Sequence, residues 1–268
     1  MSTPMVDDEL WKLIEPLLPR PTRRDRHPGR KRLDDRKVLS GILFVLTTGI
    51  AWQWLPPELG YGSGMTCWRR LRDWHQAGVF ERLHELLLAK LRQRDQLDLS
   101  RAVCDSAFVA CAFGGGKTGP SPVDRDRAGS KHHLITDANG IPLACLLTAA
   151  NRNDITQLVS LVEAIPPLRG KRGRPRRRPN VLLADRGYDS QPHGQLLHAR
   201  GIRSIIAKRS TAHGSGLGRE RWVVERTLSW LHQYRRLRIR YERRADIHEA
   251  FLALACSLIC HRQLNAFC

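Results

Sequence analysis

The sequence predicts an α/β protein in which a mixed β-sheet, flanked by helices, follows an all-α region. Residues 33–93 show helical periodicity that is interrupted by Gly and Pro. After Asp98, short apolar runs typical of strands begin, and strands then alternate with helices as far as the C-terminal apolar helix. This change divides the chain into a helical domain, residues 1–98, and a sheet-containing domain, residues 99–268.

The first domain has the pattern of a helix-turn-helix DNA reader, in which two helices joined by a Gly-containing turn precede a basic helix. The predicted helices cover residues 7–15, 33–48, 51–55, 65–76 and 80–93. We expect helix 65–76 to be the one inserted into DNA, because Arg69, Arg70 and Arg72 give it a cationic face. A plain helical bundle with solvated arginines is the alternative for this pattern.

The second domain begins with a strand at residues 102–109, which contains Asp105. Strands 132–136 and 141–148 flank the turn residues Asp137-Ala-Asn-Gly140, which is a hairpin signal. Strand 181–184 stops at Asp185. The remaining predicted elements are helix 155–165, helix 190–200, strand 202–207, helix 219–234 and helix 247–264.

The charge of the chain indicates a polyanionic partner. Lys and Arg number 45 against 26 Asp and Glu, for a net charge of +19, and the basic residues are clustered. Nucleic acid is therefore the first candidate partner. Seven cysteines at irregular spacings do not resemble a disulfide set. The uncharged stretch 38–55 contains Gly and polar residues, which favours two soluble helices over a membrane span.

Carboxylates on apolar strands indicate a metal site. Asp105 lies within one apolar strand, and Asp185 directly follows another. Such carboxylates are costly to bury without a partner, and Mg²⁺ prefers hard oxygen ligands of this kind. Glu225, which shares a helix face with Arg221, is the candidate for a third ligand. The Arg221–Glu225 spacing also fits a surface salt bridge, and spacing alone does not show that the three acids meet.

Two other motifs resemble parts of an ATP site and a zinc site, but each lacks features that such a site requires. Gly114-Gly-Gly-Lys117-Thr118 resembles part of a phosphate-binding loop, but Cys111 stands where that motif needs its first Gly, and prolines follow where a helix should begin. Cys256 and Cys260 are spaced like zinc ligands on a helix, yet cysteines on an apolar helix are more often core residues. We therefore expect neither an ATP site nor a zinc site.

Several motifs occur together in a specific order: Cys-Asp105-Ser, Lys131-His-His-Leu-Ile-Thr-Asp137, Leu-Ala-Asp185-Arg-Gly-Tyr188 and Arg221-Trp-Val-Val-Glu225-Arg-Thr. With them, the chain from about residue 38 onward resembles insertion-sequence transposases of the insertion-sequence four/five group. These enzymes have a DDE catalytic site on an RNase H-like domain. The resemblance implies that Asp105, Asp185 and Glu225 hold two Mg²⁺ ions, for which Mn²⁺ can substitute.

The activity implied by the resemblance is cleavage of double-stranded DNA at terminal inverted repeats, followed by strand transfer into target DNA without ATP. The implied phosphate contacts are Arg221, Lys131, Arg186, Arg235 and Arg236. Joining two element ends implies a homodimer or larger assembly, acting on the nucleoid in the bacterial cytoplasm. The alternative function is a DNA-binding protein without catalysis, either a repressor-like reader or a decayed transposase.

Overall fold

A computed structural model describes residues 5–20, 31–208 and 218–266 of the chain. The N-terminal part consists of α1 (Asp8–Ile14), α2 (Asp35–Thr48), α3 (Gly64–Gln76) and α4 (Val79–Gln93). Side chains cap two of these helices: Asp34 accepts from Lys37 N at the start of α2, and Ser63 accepts from Thr66 N at the start of α3. Gly49 ends α2 at a φ of 75°, a conformation that favours glycine.

The connection between α2 and α3 has the length that the predicted helices 33–48 and 65–76 leave for it. It runs from Gly49 to Ser63 and contains two short 3-10 turns, Trp52–Trp54 and Pro57–Leu59, the first of which stands where a helix at 51–55 was expected. The Trp52 ring stacks on Phe251 of the C-terminal helix at 5.7 Å. This aromatic contact holds the connection against the C-terminal helix.

The second part contains a six-stranded mixed sheet. Its strands are β1 (Arg101–Ala110), β2 (Gly119–Pro120), β3 (Ala128–Asp137), β4 (Pro142–Ala149), β5 (Val181–Ala184) and β6 (Arg203–Ile206). The central strand β1 pairs antiparallel with β3 and parallel with β5. Strand β6 continues the parallel half, whereas β4 and the short β2 pair antiparallel with β3. The long antiparallel strands β4, β3 and β1, with β5 and β6 parallel to β1 beyond them and the short β2 as a sixth strand, form the RNase H-like arrangement.

The predicted hairpin between β3 and β4 is closed by one carboxylate. Asp137 Oδ1 accepts from the backbone N–H groups of Asn139 and Ile141, at 2.9 and 2.7 Å, and Oδ2 accepts from Asp98 N at 2.8 Å. Gly140 has a φ of 86°, as a tight turn of this kind requires. Asp137 therefore fixes the hairpin and also ties it to the segment that enters β1.

Helices cover the sheet and join it to the N-terminal part. They are α5 (Leu158–Glu163), α6 (Gln191–Ala199), α7 (Gly218–Gln233), α8 (Arg235–Arg238) and α9 (Ala245–Ala266). Helix α7 lies against β1 and β3, while α9 packs between β4 and the helices α3 and α4. One continuous hydrophobic core runs through both parts. The change from helix to strand falls between Gln93 and Arg101, and the division into domains 1–98 and 99–268 stays a prediction.

Two further expectations from the sequence concern membrane-spanning helices and the cysteines. No helix in the described ranges is both long enough and apolar enough for a membrane span. All six cysteines within those ranges are free thiols. Cys256 and Cys260 are buried in α9, as the core interpretation of their spacing predicted.

Candidate active site

Asp105 lies in the middle of β1 with its side chain mostly buried. Its Oδ1 accepts from Ser106 N at 2.8 Å, and Arg221 Nη2 donates to Oδ2 at 3.1 Å. Burial raises the pKa of Asp105 to about 6, and the negative charges of Asp185 and Glu225 add to this rise. Arg221 and the Ser106 N–H oppose it. The three acids thus act on one another electrostatically.

Asp185 is placed beside Asp105 by the parallel pairing of β1 and β5. The register aligns Val103 with Leu183, and two further residues along each strand bring Asp105 and Asp185 to the same edge. Neighbouring strands lie about 4.8 Å apart, so the two carboxylates are neighbours. Asp185 Oδ1 accepts from Gly187 N at 2.9 Å, where a Cβ on Gly187 would crowd the same oxygen at 3.0 Å.

Glu225 lies on α7, one helical turn beyond Arg221, with an exposed side chain. It shares with Asp105 a cavity of about 700 Å³. The residues that line this cavity are Asp105, Ser106, Glu225, Leu228, Ser229, His232, Gln233, Arg235 and Arg238. The cavity therefore has an acidic end at Asp105 and Glu225 and a basic end at Arg235 and Arg238.

The donor set fits a hard divalent cation, because it consists of carboxylate oxygens whose mutual repulsion a cation would relieve. The raised pKa of Asp105 is the observation that supports this fit. Within the described ranges, no three His, Cys, Asp or Glu side chains are grouped to hold an ion in the conformation shown. Arg221 occupies one oxygen of Asp105, so ion binding requires this arginine to move.

The structure gives several predicted DNA contacts a protein partner as well. Lys131 Nζ donates to Asp154 Oδ1 at 2.9 Å and to Arg152 O at 2.9 Å. On α3, Arg70 pairs with Asp35, and Arg72 pairs with Asp73 at 2.7 Å, while the Arg69 side chain is exposed. Arg186 lies in the 3-10 turn that follows Asp185. Arg235 is exposed on the cavity wall.

Arg236 has a different place from the one that we expected. Its guanidinium is buried, donates to Glu242 Oε1 at 2.8 Å, and donates to the carbonyls of Gly49 and Ile50 at 3.2 and 3.0 Å. These contacts satisfy backbone groups at the end of α2 and fix that helix to α8. A buried, fully engaged guanidinium cannot reach a phosphate, so we remove Arg236 from the proposed DNA contacts.

The sequence reasoning missed the cavity residue Ser229. Ser229 and His232 follow Glu225 by four and seven residues, which places them on the same face of α7. That periodicity was the available signal for Ser229. Arg238 reaches the cavity from α8, within the same basic run as Arg235 and Arg236.

The Gly114–Thr118 segment is held as a structural loop. Arg240 Nη2 donates to Gly116 O at 2.6 Å and Nη1 donates to Lys117 O at 3.1 Å. A Cβ on Gly115 would lie 2.0 Å from Arg243 O, so only glycine fits. Strand β2 follows this loop, whereas a phosphate-binding loop leads into a helix.

Comparisons with known proteins match this chain to transposases in both of its parts. Residues 6–84 match a family described as "Putative transposase of IS4/5 family", and residues 96–260 match the family "Transposase DDE domain". A protein of Burkholderia cepacia, "Putative transposase for insertion sequence element IS402", is 65% identical over 57% of this chain and 72% of its own length.

Two other comparisons cover different shares of the chain. The Burkholderia cepacia "Insertion element IS402 uncharacterized 16.2 kDa protein" is 59% identical over 46% of this chain and 84% of its own length. A solved Mos1 transposase paired-end complex is 13% identical, covers 81% of this chain and 79% of that chain, and has a TM-score of 0.28. With the DDE domain family matching more than half of its length, the chain belongs to the insertion-sequence transposases of the IS4/5 type with a DDE domain.

Proposed function

We propose that the chain is a Mg²⁺-dependent DNA transposase that cleaves double-stranded DNA at terminal inverted repeats and joins the freed end to target DNA. The observation that carries this proposal is the pairing of β1 with β5, which makes Asp105 and Asp185 neighbours, with Glu225 on the same cavity as Asp105. These three residues are the proposed metal ligands and catalytic residues. Mn²⁺ is expected to substitute for Mg²⁺.

Bound divalent ions would activate the attacking water or 3′-hydroxyl and stabilise the leaving oxygen in an in-line phosphoryl transfer. Asp105 has to be ionised to serve as a ligand, and its pKa of about 6 makes it so above neutral pH. Arg221, released from Asp105, lies where it can donate to a phosphate beside the carboxylates. No ATP is required, because transesterification conserves the number of phosphodiester bonds.

We propose that DNA is held by cations on both parts of the protein. Arg221, Lys131, Arg186 and Arg235 lie on the catalytic part, and Arg69, Arg70 and Arg72 lie on α3. The net charge of +19 supports this division of contacts along a duplex. Because two element ends must be brought together, the working assembly is proposed to be a homodimer or larger, on the nucleoid in the bacterial cytoplasm.

The proposed function is tested with a plasmid that carries the gene and its native flanking DNA. We expect purified protein to make discrete cuts near flanking inverted repeats in Mg²⁺ and none in EDTA. Asp185→Ala is expected to abolish the cuts and retain DNA binding. Glu220→Ala, which removes a partly exposed acid of α7 paired with Arg101, is the matched control and should cut normally.

The same experiment also tests the alternative function, that of a DNA-binding protein without catalysis. DNA binding by the unaltered protein without any metal-dependent cut would contradict catalysis and leave a repressor-like reader or a decayed transposase.

A further inference from the structure

Three histidines from three elements form a hydrogen-bonded line that starts at the cavity and runs into the core. His232 Nε2 lies 3.4 Å from His132 Nδ1, and His132 Nε2 lies 2.8 Å from His248 Nε2. His132 on β3 and His248 on α9 have no exposed surface. His232 on α7 is partly exposed and lines the cavity that Asp105 and Glu225 share.

The inner end of this histidine line is the carboxylate of Glu242. Arg236 donates to Glu242 Oε1. The other oxygen, Oε2, faces His248 Nδ1 at 3.9 Å, and neither of these two atoms has a hydrogen-bond partner in the described ranges. Burial raises the pKa of Glu242, but the nearby His248 and the charge of Arg236 outweigh burial and bring the pKa below its ordinary value.

The ionised carboxylate of Glu242 determines which ring nitrogens donate and which accept along the line of histidines. The negative charge of Glu242 Oε2, 3.9 Å away, favours a neutral His248 that carries its proton on Nδ1 and leaves Nε2 as an acceptor. His132 must then donate from Nε2, which leaves its Nδ1 to accept from His232 Nε2. The remaining ring nitrogen of His232, Nδ1, is therefore left without a proton. It is the nitrogen available to the cavity.

The outer end of the line lies among cations. Arg235 and Arg238 are exposed on α8 and line the cavity together with His232. Burial lowers the pKa of His232, and the charge of Arg238 and the neighbouring His248 lower it further. The charged and titratable groups that face the line are Asp105 on β1, Glu225 on α7, His133 on β3, Arg235 and Arg238 on α8, and Arg240, Glu242 and Glu249 around α9.

We propose that the basic end of the cavity is a phosphate subsite in which His232 takes up a proton from solvent when a DNA phosphate binds. This proposal rests on the proposed function, because the phosphate is that of DNA. Protonated His232 donates from Nδ1 to the phosphate and still donates from Nε2 to His132. The buried His132 and His248 are positioning residues, and the negative charge of Glu242 compensates the added proton through them.

The test measures proton uptake when a short mixed-sequence duplex binds the full-length protein in EDTA, where cleavage is absent. Titration calorimetry in buffers of different ionisation enthalpy gives the number of protons. Near pH 7 we expect the unaltered protein to take up, on binding DNA, roughly half a proton or more in excess of the number taken up by His232→Gln. We also expect the affinity of the unaltered protein for DNA to rise by up to about tenfold per pH unit as the pH falls. The titration of Asp105 is common to both proteins and cancels in this difference.

His198→Gln is the matched control, because His198 is an exposed histidine of α6 and should leave proton uptake unchanged. Equal proton uptake by His232→Gln and the unaltered protein would overturn the subsite. Failure of the unaltered protein to bind the duplex at any pH would instead overturn the proposed function, and the subsite with it.

The positioning role has its own readout, which does not depend on DNA. Nitrogen NMR of the histidine rings should show Nε2-protonated His132 and His232 and an Nδ1-protonated His248. A reversed direction, with His248 protonated on Nε2, would overturn the role of Glu242 in setting the line.

Discussion

At the residue scale, the candidate site places charge where folding disfavours it. Asp105 is a mostly buried carboxylate with two other acids acting on it, and only Arg221 and one backbone N–H favour its ionised form. Such an arrangement costs stability in the free protein, as is expected of carboxylates that are proposed to bind a cation. Asp105 should therefore lower the free energy of unfolding of the metal-free protein and also be necessary for the proposed reaction.

Asp105→Asn should stabilise the metal-free protein at pH 7.5 by about 1–2 kcal/mol, because the neutral amide removes the charge whose burial raises the pKa of Asp105. The folded-state pKa of about 6 lies above the unfolded value, so the stability that Asp105 contributes is present at low pH and is lost as the pH rises through 6. Urea unfolding at pH 7.5 and at pH 4 should show the gain only at the higher pH.

An equal gain at both pH values would contradict this origin. Asp95→Asn, at an exposed acid paired with Lys171, serves as the control and should change the free energy of unfolding little at either pH.

Local sequence patterns indicated the individual acidic residues but not that these residues lie close together in the fold. Asp105 and Asp185 stood out because carboxylates are rare on apolar strands. Their proximity depends on β1 pairing with β5 across a long intervening segment, which local pattern does not specify. Arg236 was placed wrongly for a related reason: its partners Gly49 and Ile50 belong to the other end of the chain.

At the element scale, local signals were sufficient for nearly every helix and strand. Strand β5 spans residues 181–184 as predicted, and α2 ends at Thr48 as predicted. The stacking of Trp52 on the distant Phe251, which holds the α2–α3 connection, was not predictable from local sequence. Local caps and turns are set by neighbouring residues, whereas connections are set by the core that they cross.

Asp137→Ala should destabilise the protein by about 2–4 kcal/mol, because it removes the acceptor of three backbone N–H groups, those of Asp98, Asn139 and Ile141. Thermal or urea unfolding measures the loss. Asn139→Ala, in the same turn, keeps its own backbone N–H bonded to Asp137 and should cost less than about 1 kcal/mol. Equal losses in the two variants would contradict the role of the carboxylate.

At the scale of the whole molecule, the helical and sheet parts share one core. Helix α9 packs against α3 and α4 on one side and against β4 on the other, so the C-terminal end of the chain completes the fold of its N-terminal part. Arg236 adds a buried polar link between α8 and the end of α2. The shared core thus fixes α3, the helix proposed to contact DNA, relative to the three carboxylates.

A fragment of residues 99–268 is expected not to fold on its own, because it would expose the α9 surface that Leu83 and Leu87 of α4 help to cover. Circular dichroism and urea unfolding of the isolated fragment test this expectation. Adding residues 1–98 as a separate chain should restore a cooperative transition. A cooperative transition of the fragment alone would show that the two parts are independent domains.

The central claim is that Asp105, Asp185 and Glu225 form one metal centre, and Mn²⁺ binding measured by electron paramagnetic resonance tests it most directly. The account predicts that the unaltered protein binds Mn²⁺, that Asp105→Asn, Asp185→Asn and Glu225→Gln each weaken binding at least tenfold, and that Glu220→Gln binds normally. Binding that is insensitive to all three carboxylate changes, or affected by Glu220→Gln to the same degree, would contradict it.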